Sequence, residues 1–113
     1  MMYSNKQFGS ALEDIIKEKK AKLRSLAGKT NLNYSYFSKL KKRKSHPPIS
    51  TIELISKGLG ISPEYFMEYR IYKIENLLKK KPEIIEKVYS YIKSITDKEK
   101  LKVAEKKGLF NKK

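Results

Sequence analysis

Amide, hydroxyl, phenol and ammonium groups crowd into one short stretch of this chain. From Asn31 to Lys44 it reads N-L-N-Y-S-Y-F-S-K-L-K-K-R-K. Asn and Ser side chains donate or accept at any base edge, and a lysine ammonium favours the guanine O6 and N7 of a major groove. Tyr34 and Tyr36 suit packing on a thymine methyl or a bond to a phosphate through the hydroxyl. The four successive cations Lys41, Lys42, Arg43 and Lys44 suit both a helix C-terminus and phosphate oxygens. An isolated charge run is more often a solvated helix end. A capped turn ahead of the run makes nucleic acid the competing reading.

The element that must carry these groups is a helix entered from a tight turn. Asn33 is placed to cap it, because its side-chain oxygen accepts from free backbone N–H groups two or three residues on. Asn31 falls where a left-handed backbone is needed, and Asn tolerates positive φ better than any residue but Gly. With the helix starting at Tyr34, Phe37 and Leu40 form a narrow apolar stripe, and Tyr34, Ser35, Ser38, Lys39 and Lys42 point elsewhere.

The preceding chain supplies a support. Phe8, Leu12, Ile15 and Ile16 mark an amphipathic helix from about Phe8 to Lys19, and Leu23, Leu26 and Ala27 a shorter one ending near Lys29. Two short helices joined by a three- or four-residue turn, the second with an exposed polar face, are the helix-turn-helix arrangement. Beyond the basic run, Pro47 and Pro48 require a loop. Ser50 and Glu53 then read as a capping box opening a fourth helix, with Ile52, Ile55 and Leu59 inward and Gly60 just past its end. Ser62-Pro63-Glu64 signals a fifth helix carrying Phe66, Met67, Ile71, Ile74, Leu77 and Leu78 as far as Pro82. More helix is expected to Lys113: Ile84, Ile85, Val88, Ile92 and Ile95 recur at helical spacing, and Thr96 with Glu99 reads as a capping box for a last helix ending at Gly108. The apolar stripes beyond Leu77 exceed what so small a core needs and call for a partner.

Composition bounds the function classes. The chain has 113 residues and 27 cations against 12 acids, a net charge of +15. Such a surplus suits a polyanionic partner. There is no cysteine and one histidine, so disulfides, thiolate metal sites and His clusters are excluded, and His46 reads as a loop residue. No apolar run reaches the roughly 18 residues of a membrane span and Met1 to Gly9 has no signal-peptide pattern, so a cytoplasmic protein is the expectation. A basic amphipathic module on anionic membrane fits the lysines, but a capped turn with hydroxyl-bearing helix positions serves no purpose there. Gly28-Lys29-Thr30 mimics the end of a phosphate-binding loop, yet Leu23 stands where the first glycine is required. No set of nucleophile, base and oxyanion donors assembles, so a non-enzyme without cofactor or metal is expected.

The stretch from Phe8 to Tyr69 resembles the Cro and lambda-repressor (XRE) family of helix-turn-helix proteins. The matching residues are Phe8-Gly9, L-x-x-L-A from Leu23 to Ala27, K-T-N-L-N from Lys29 to Asn33, Y-F-S-K-L from Tyr36 to Leu40, P-P-I-S-T-I-E-L from Pro47 to Leu54, and L-G-I-S-P-E-Y-F from Leu59 to Phe66. The resemblance implies a five-helix lambda-repressor-like DNA-binding bundle at 8–70; the chain from about Tyr72 matches no motif of the family, and its own apolar stripes make residues 71–113 a helical extension for dimerisation or partner binding, within an all-α fold. The resemblance places Asn33, Tyr34, Ser35 and Lys39 at base edges and Lys42 and Lys44 near phosphates. With their neighbours, the candidate DNA-binding set is Asn33, Tyr34, Ser35, Tyr36, Ser38, Lys39, Lys42, Arg43 and Lys44. The implied protein is a DNA-binding transcriptional regulator, a repressor acting as a homodimer on double-stranded DNA. An antitoxin or adaptor whose C-terminal helices grip another protein is the alternative. The chain departs from the family pattern at Lys20, Asn31 and Arg43, where glycine is frequent, at Lys22, where Ser or Thr often caps, and at Lys41, where glutamate is frequent.

Overall fold

The computed structural model describes residues 3–42 and 45–106. These form six α-helices, α1 (Phe8–Glu18), α2 (Leu23–Thr30), α3 (Tyr34–Leu40), α4 (Ile49–Leu59), α5 (Met67–Lys80) and α6 (Ile85–Lys106), with single 3-10 turns at Pro63–Tyr65 and Pro82–Ile84. Among the described residues there is no strand. The chain divides into two compact units, Met1–Glu75 and Asn76–Lys113.

The first unit is built on the stripes read from sequence. Phe8, Ala11, Leu12, Ile15 and Ile16 from α1 meet Leu26 of α2, Phe37 and Leu40 of α3, Ile52, Ile55 and Leu59 of α4, and Tyr65, Phe66 and Tyr69 in one buried cluster. Three of these helices stop by the same device. Lys20, Asn31 and Gly60 adopt left-handed φ values of 52°, 60° and 70°. The next residue's N–H then reaches back five positions, from Ala21 to Ile16, Leu32 to Ala27 and Ile61 to Ser56, at 3.0, 3.2 and 3.0 Å. Each bond satisfies a carbonyl that the helix end leaves free. Lys20 and Asn31 therefore keep the geometry for which glycine is the easier residue.

A glycine does matter at the start of α1. A Cβ on Gly9 would lie 2.8 Å from the carbonyl oxygens of both Leu40 and Lys41, so α1 rests directly on the end of α3. The same turn of α1 is capped from a distance: Gln7 makes no side-chain cap, but Glu68 Oε2 accepts from the Phe8 N–H at 2.9 Å. A carboxylate there also offsets the helix dipole. Arg70, one turn from the start of α5, donates to the Ser4 carbonyl and to Asn5 Oδ1, pinning the segment that leads into α1.

Three helix starts differ from expectation. The Ser50–Glu53 box does not form: α4 begins at Ile49 with Pro48 as its N-cap and no side-chain cap. The Pro48 carbonyl already accepts from Thr51 and Ile52 N–H at 3.0 and 3.2 Å, which puts Ser50 inside the first turn. Glu53 is engaged elsewhere, accepting from the Tyr69 hydroxyl at 2.9 Å. Ser62 does cap, accepting from Glu64 N–H at 3.2 Å, but over a 3-10 turn only, and α5 starts at Met67. Phe66 is extended (φ −84°, ψ 130°) between them, its fully buried ring 4.6 Å from Phe8 and 5.1 Å from Tyr65 between centroids. Burying that ring is worth about 1.5–3 kcal/mol, enough to offset the one or two helical bonds forgone at about 0.5–1.5 kcal/mol each. Finally, Thr96 does not open a last helix, because α6 runs through it. Its hydroxyl donates to the Ile92 carbonyl at 3.0 Å, the usual arrangement for Thr inside a helix. The expected end at Gly108 lies outside the described residues.

The second unit takes in the end of α5 from Asn76, the 3-10 turn at Pro82–Ile84 and α6. Among the described residues no helix is long and apolar enough to cross a membrane.

Candidate nucleic-acid interface

The turn between α2 and α3 is fixed at three successive residues. Asn31 supplies the left-handed step, Leu32 packs against the core, and Asn33 caps α3. Its Oδ1 accepts from both the backbone N–H and the hydroxyl of Ser35, each at 3.0 Å. Thr30, 3 % exposed, returns its hydroxyl to the Leu26 carbonyl at 2.8 Å, so the end of α2 is closed to water. Phe37 and Leu40 are fully buried and lock α3 to the bundle.

These contacts decide which groups α3 leaves free. At about 100° per residue, Ser35 and Lys39 lie opposite Phe37 and Leu40, Lys42 follows in the turn just past the end of the helix, and all three are exposed. Ser38 is half-buried beside them, and Asn33 and Tyr34 are exposed at the N-terminal end. Tyr36 is different. It is half-buried and packs against the core cluster, on the inner flank of α3, so it braces the helix rather than joining the exposed face. Arg43 and Lys44 lie outside the described residues.

Hydrogen bonding also assigns polarity to the free groups. With Oδ1 of Asn33 taken twice, its remaining capacity is the NH₂, a donor. With its proton given to Asn33, Ser35 Oγ retains only acceptor lone pairs. Asn33 is thus matched to O6, N7 or O4 acceptors, and Ser35 to the exocyclic amino groups of adenine or cytosine.

One residue at this surface was not anticipated. The Arg24 guanidinium on α2 lies 5.7 Å from the centroid of the Tyr34 ring, within reach of a cation–π contact. That contact sets a cation of α2 beside an exposed aromatic at the start of α3. No spacing rule within α2 points to it, since it arises from how two helices pack. From Lys19 to Ile52 the chain has ten cations and no acid, so two thirds of the net charge sits on the segment that contains this surface. Among the described residues no three His, Asp or Glu side chains group to hold a metal.

A protein-family model, the Cro/C1-type HTH DNA-binding domain, matches residues 11–70. No curated protein and no solved structure matches the chain.

Proposed function

Because the chain belongs to the Cro/C1-type helix-turn-helix DNA-binding family and is thereby a DNA-binding regulator, we propose that it is a sequence-specific repressor acting as a homodimer, with α3 in the major groove. Residues 8–70 are its reading head and 71–113 its association segment. The observation that carries the reading is the α3 face: Ser35 and Lys39 exposed opposite two fully buried anchors and Lys42 exposed just past the helix end, with the donor of Asn33 and the ring of Tyr34 beside them. Asn33, Tyr34, Ser35 and Lys39 meet base edges, and Lys42, with Arg24, Arg43 and Lys44, meets phosphates. Bound over a promoter, the protein represses by occupying the groove that polymerase needs.

Selection of bound sequences from random double-stranded DNA tests this. A two-fold symmetric site with half-sites about 34 Å apart is the expected outcome. Recovery of unenriched sequence would overturn specific readout. The exposed apolar residues of α6 support a second reading, an antitoxin or adaptor that grips a different protein. Co-purification of one stoichiometric partner, without enrichment of any DNA site, would favour it.

A further inference from the structure

One face of α6 is a feature that the DNA-reading surface leaves unused. Ile85, Tyr89, Ile92 and Ile95 are 48 %, 63 %, 55 % and 40 % exposed. At 100° per residue these residues fall with Val88, Tyr91 and Thr96 in a continuous arc of roughly 160°. Ile85, Val88, Ile92 and Ile95 are spaced three, four and three apart, the seam of a helix pair. The charges interspersed with them, Glu86, Lys87 and Lys93, all lie on the opposite half of the helix. In a chain with 27 cations, the three turns from Ile85 to Thr96 keep this arc free of charge, and there two like-charged copies meet with least repulsion.

We propose that this face is covered by the same face of a second copy, with the two α6 helices antiparallel. The proposal rests on the homodimeric reading above and gives it a place and a direction. Three observations support the occupant and the direction. Ile85, Tyr89, Tyr91, Ile92 and Ile95 are all exposed on each copy, and the tyrosines are the large contributors, since an aromatic side chain can bury about 150–250 Å² toward the 800 Å² or so that each partner buries in a standard stable interface. The seam is also self-complementary about Ser90: turned over, Ile85 meets Ile95 and Val88 meets Ile92, as a two-fold axis demands. Charge sets the direction. From Pro82 to Ile92 there are two acids and one lysine, and from Lys93 to Lys106 five lysines and three acids. A parallel pair would set these two basic halves side by side, whereas an antiparallel pair carries them to opposite ends and aligns the helix dipoles head to tail.

The absence of native cysteine makes the register directly readable. Ile85→Cys and Ile95→Cys variants of the full chain are purified separately, then oxidised alone and as an equimolar mixture. The disulfide expected is between Cys at 85 of one copy and Cys at 95 of the other, in the mixture only, since facing seam positions satisfy its short Cα separation. Self-linkage of either variant alone overturns the antiparallel arrangement, and no linkage in any sample overturns the pairing of these faces. As an orthogonal check, Ile92→Lys in the cysteine-free chain should weaken dimerisation more than about 100-fold by sedimentation, because it places an ammonium in an apolar seam. Unchanged dimerisation overturns the proposal. Binding of the unmodified chain to its selected DNA is measured alongside. A monomer that binds a specific site defeats the α6 pairing alone, and a cross-linked pair that binds no site defeats the repressor reading alone.

Discussion

Replacing Gly9 by alanine tests how closely α1 presses on the end of α3. The added Cβ would meet the Leu40 and Lys41 carbonyl oxygens at 2.8 Å each and the Lys41 carbonyl carbon at 3.0 Å. All three are backbone atoms, so no side-chain rotation relieves the contact, and the end of α3 must move. Overpacking of this kind costs about 1–3 kcal/mol. Alanine's better helix propensity returns about 0.5–1 kcal/mol. The net expectation is a loss of about 1–2 kcal/mol, which in a domain of this size lowers Tm by roughly 5–15 °C. Gly28→Ala is the internal comparison: it lies within α2 with nothing inside 4 Å of its added Cβ, so only the gain of about 0.5–1 kcal/mol remains. Urea and thermal unfolding followed by circular dichroism reads both. If Gly9→Ala proves as stabilising as Gly28→Ala, the close seating of α1 on α3 is wrong.

Other outcomes follow from the same contacts. Lys20→Gly should stabilise the protein by about 0.5–1 kcal/mol by removing the strain of a left-handed lysine, net of glycine's added unfolded-state entropy, and Lys22→Ser by about 1 kcal/mol by capping α2; denaturant melts decide. The hydrogen bond to Glu53 raises the Tyr69 phenol above its ordinary value of 10.0, and burial does the same for Tyr65. A folded-state pKa above the unfolded one means stabilisation that is complete below about pH 10 and is lost as pH rises through the folded value. Unfolding free energy should therefore fall above about pH 10, and Tyr65→Phe with Tyr69→Phe should flatten that decline. DNA affinity should drop about three to five orders of magnitude between roughly 50 and 200 mM salt if a dimer contacts six to ten phosphates. A nearly flat plot of log affinity against log salt would contradict this.

Local chemistry made much of this fold legible. Asn33 caps and Asn31 turns because each acts on backbone within three residues of itself, and the stripes of α1 and α4 bury as their periodicity requires, while in α2 Leu26 is buried and Leu23 and Ala27 are half-buried against the core. Signals that depend on distant partners were not legible. Ser50–Glu53 and Thr96–Glu99 both satisfy the capping pattern, yet Pro48 starts α4 early and α6 runs straight through Thr96. The break before α5 follows from Phe66 seeking Phe8 across the bundle. Glu68 caps α1 from far along the chain, where no window on sequence would find it. At the candidate interface the phase of α3 follows from Phe37 and Leu40. The half-burial of Tyr36 and the approach of Arg24 to Tyr34 depend on neighbouring helices, and only the packed bundle reveals them.

Whether α3 reads bases, rather than merely adhering to phosphates, is decided most directly by paired binding curves at matched salt on the selected site and on random DNA. Ser35→Ala and Lys39→Ala should each lose about 1–3 kcal/mol on the selected site, roughly 5- to 150-fold, and little on random DNA. Lys42→Ala should weaken both DNAs alike and lower the salt slope by about one unit. If Ser35→Ala and Lys39→Ala leave the ratio of specific to random binding unchanged, α3 is not the reading helix.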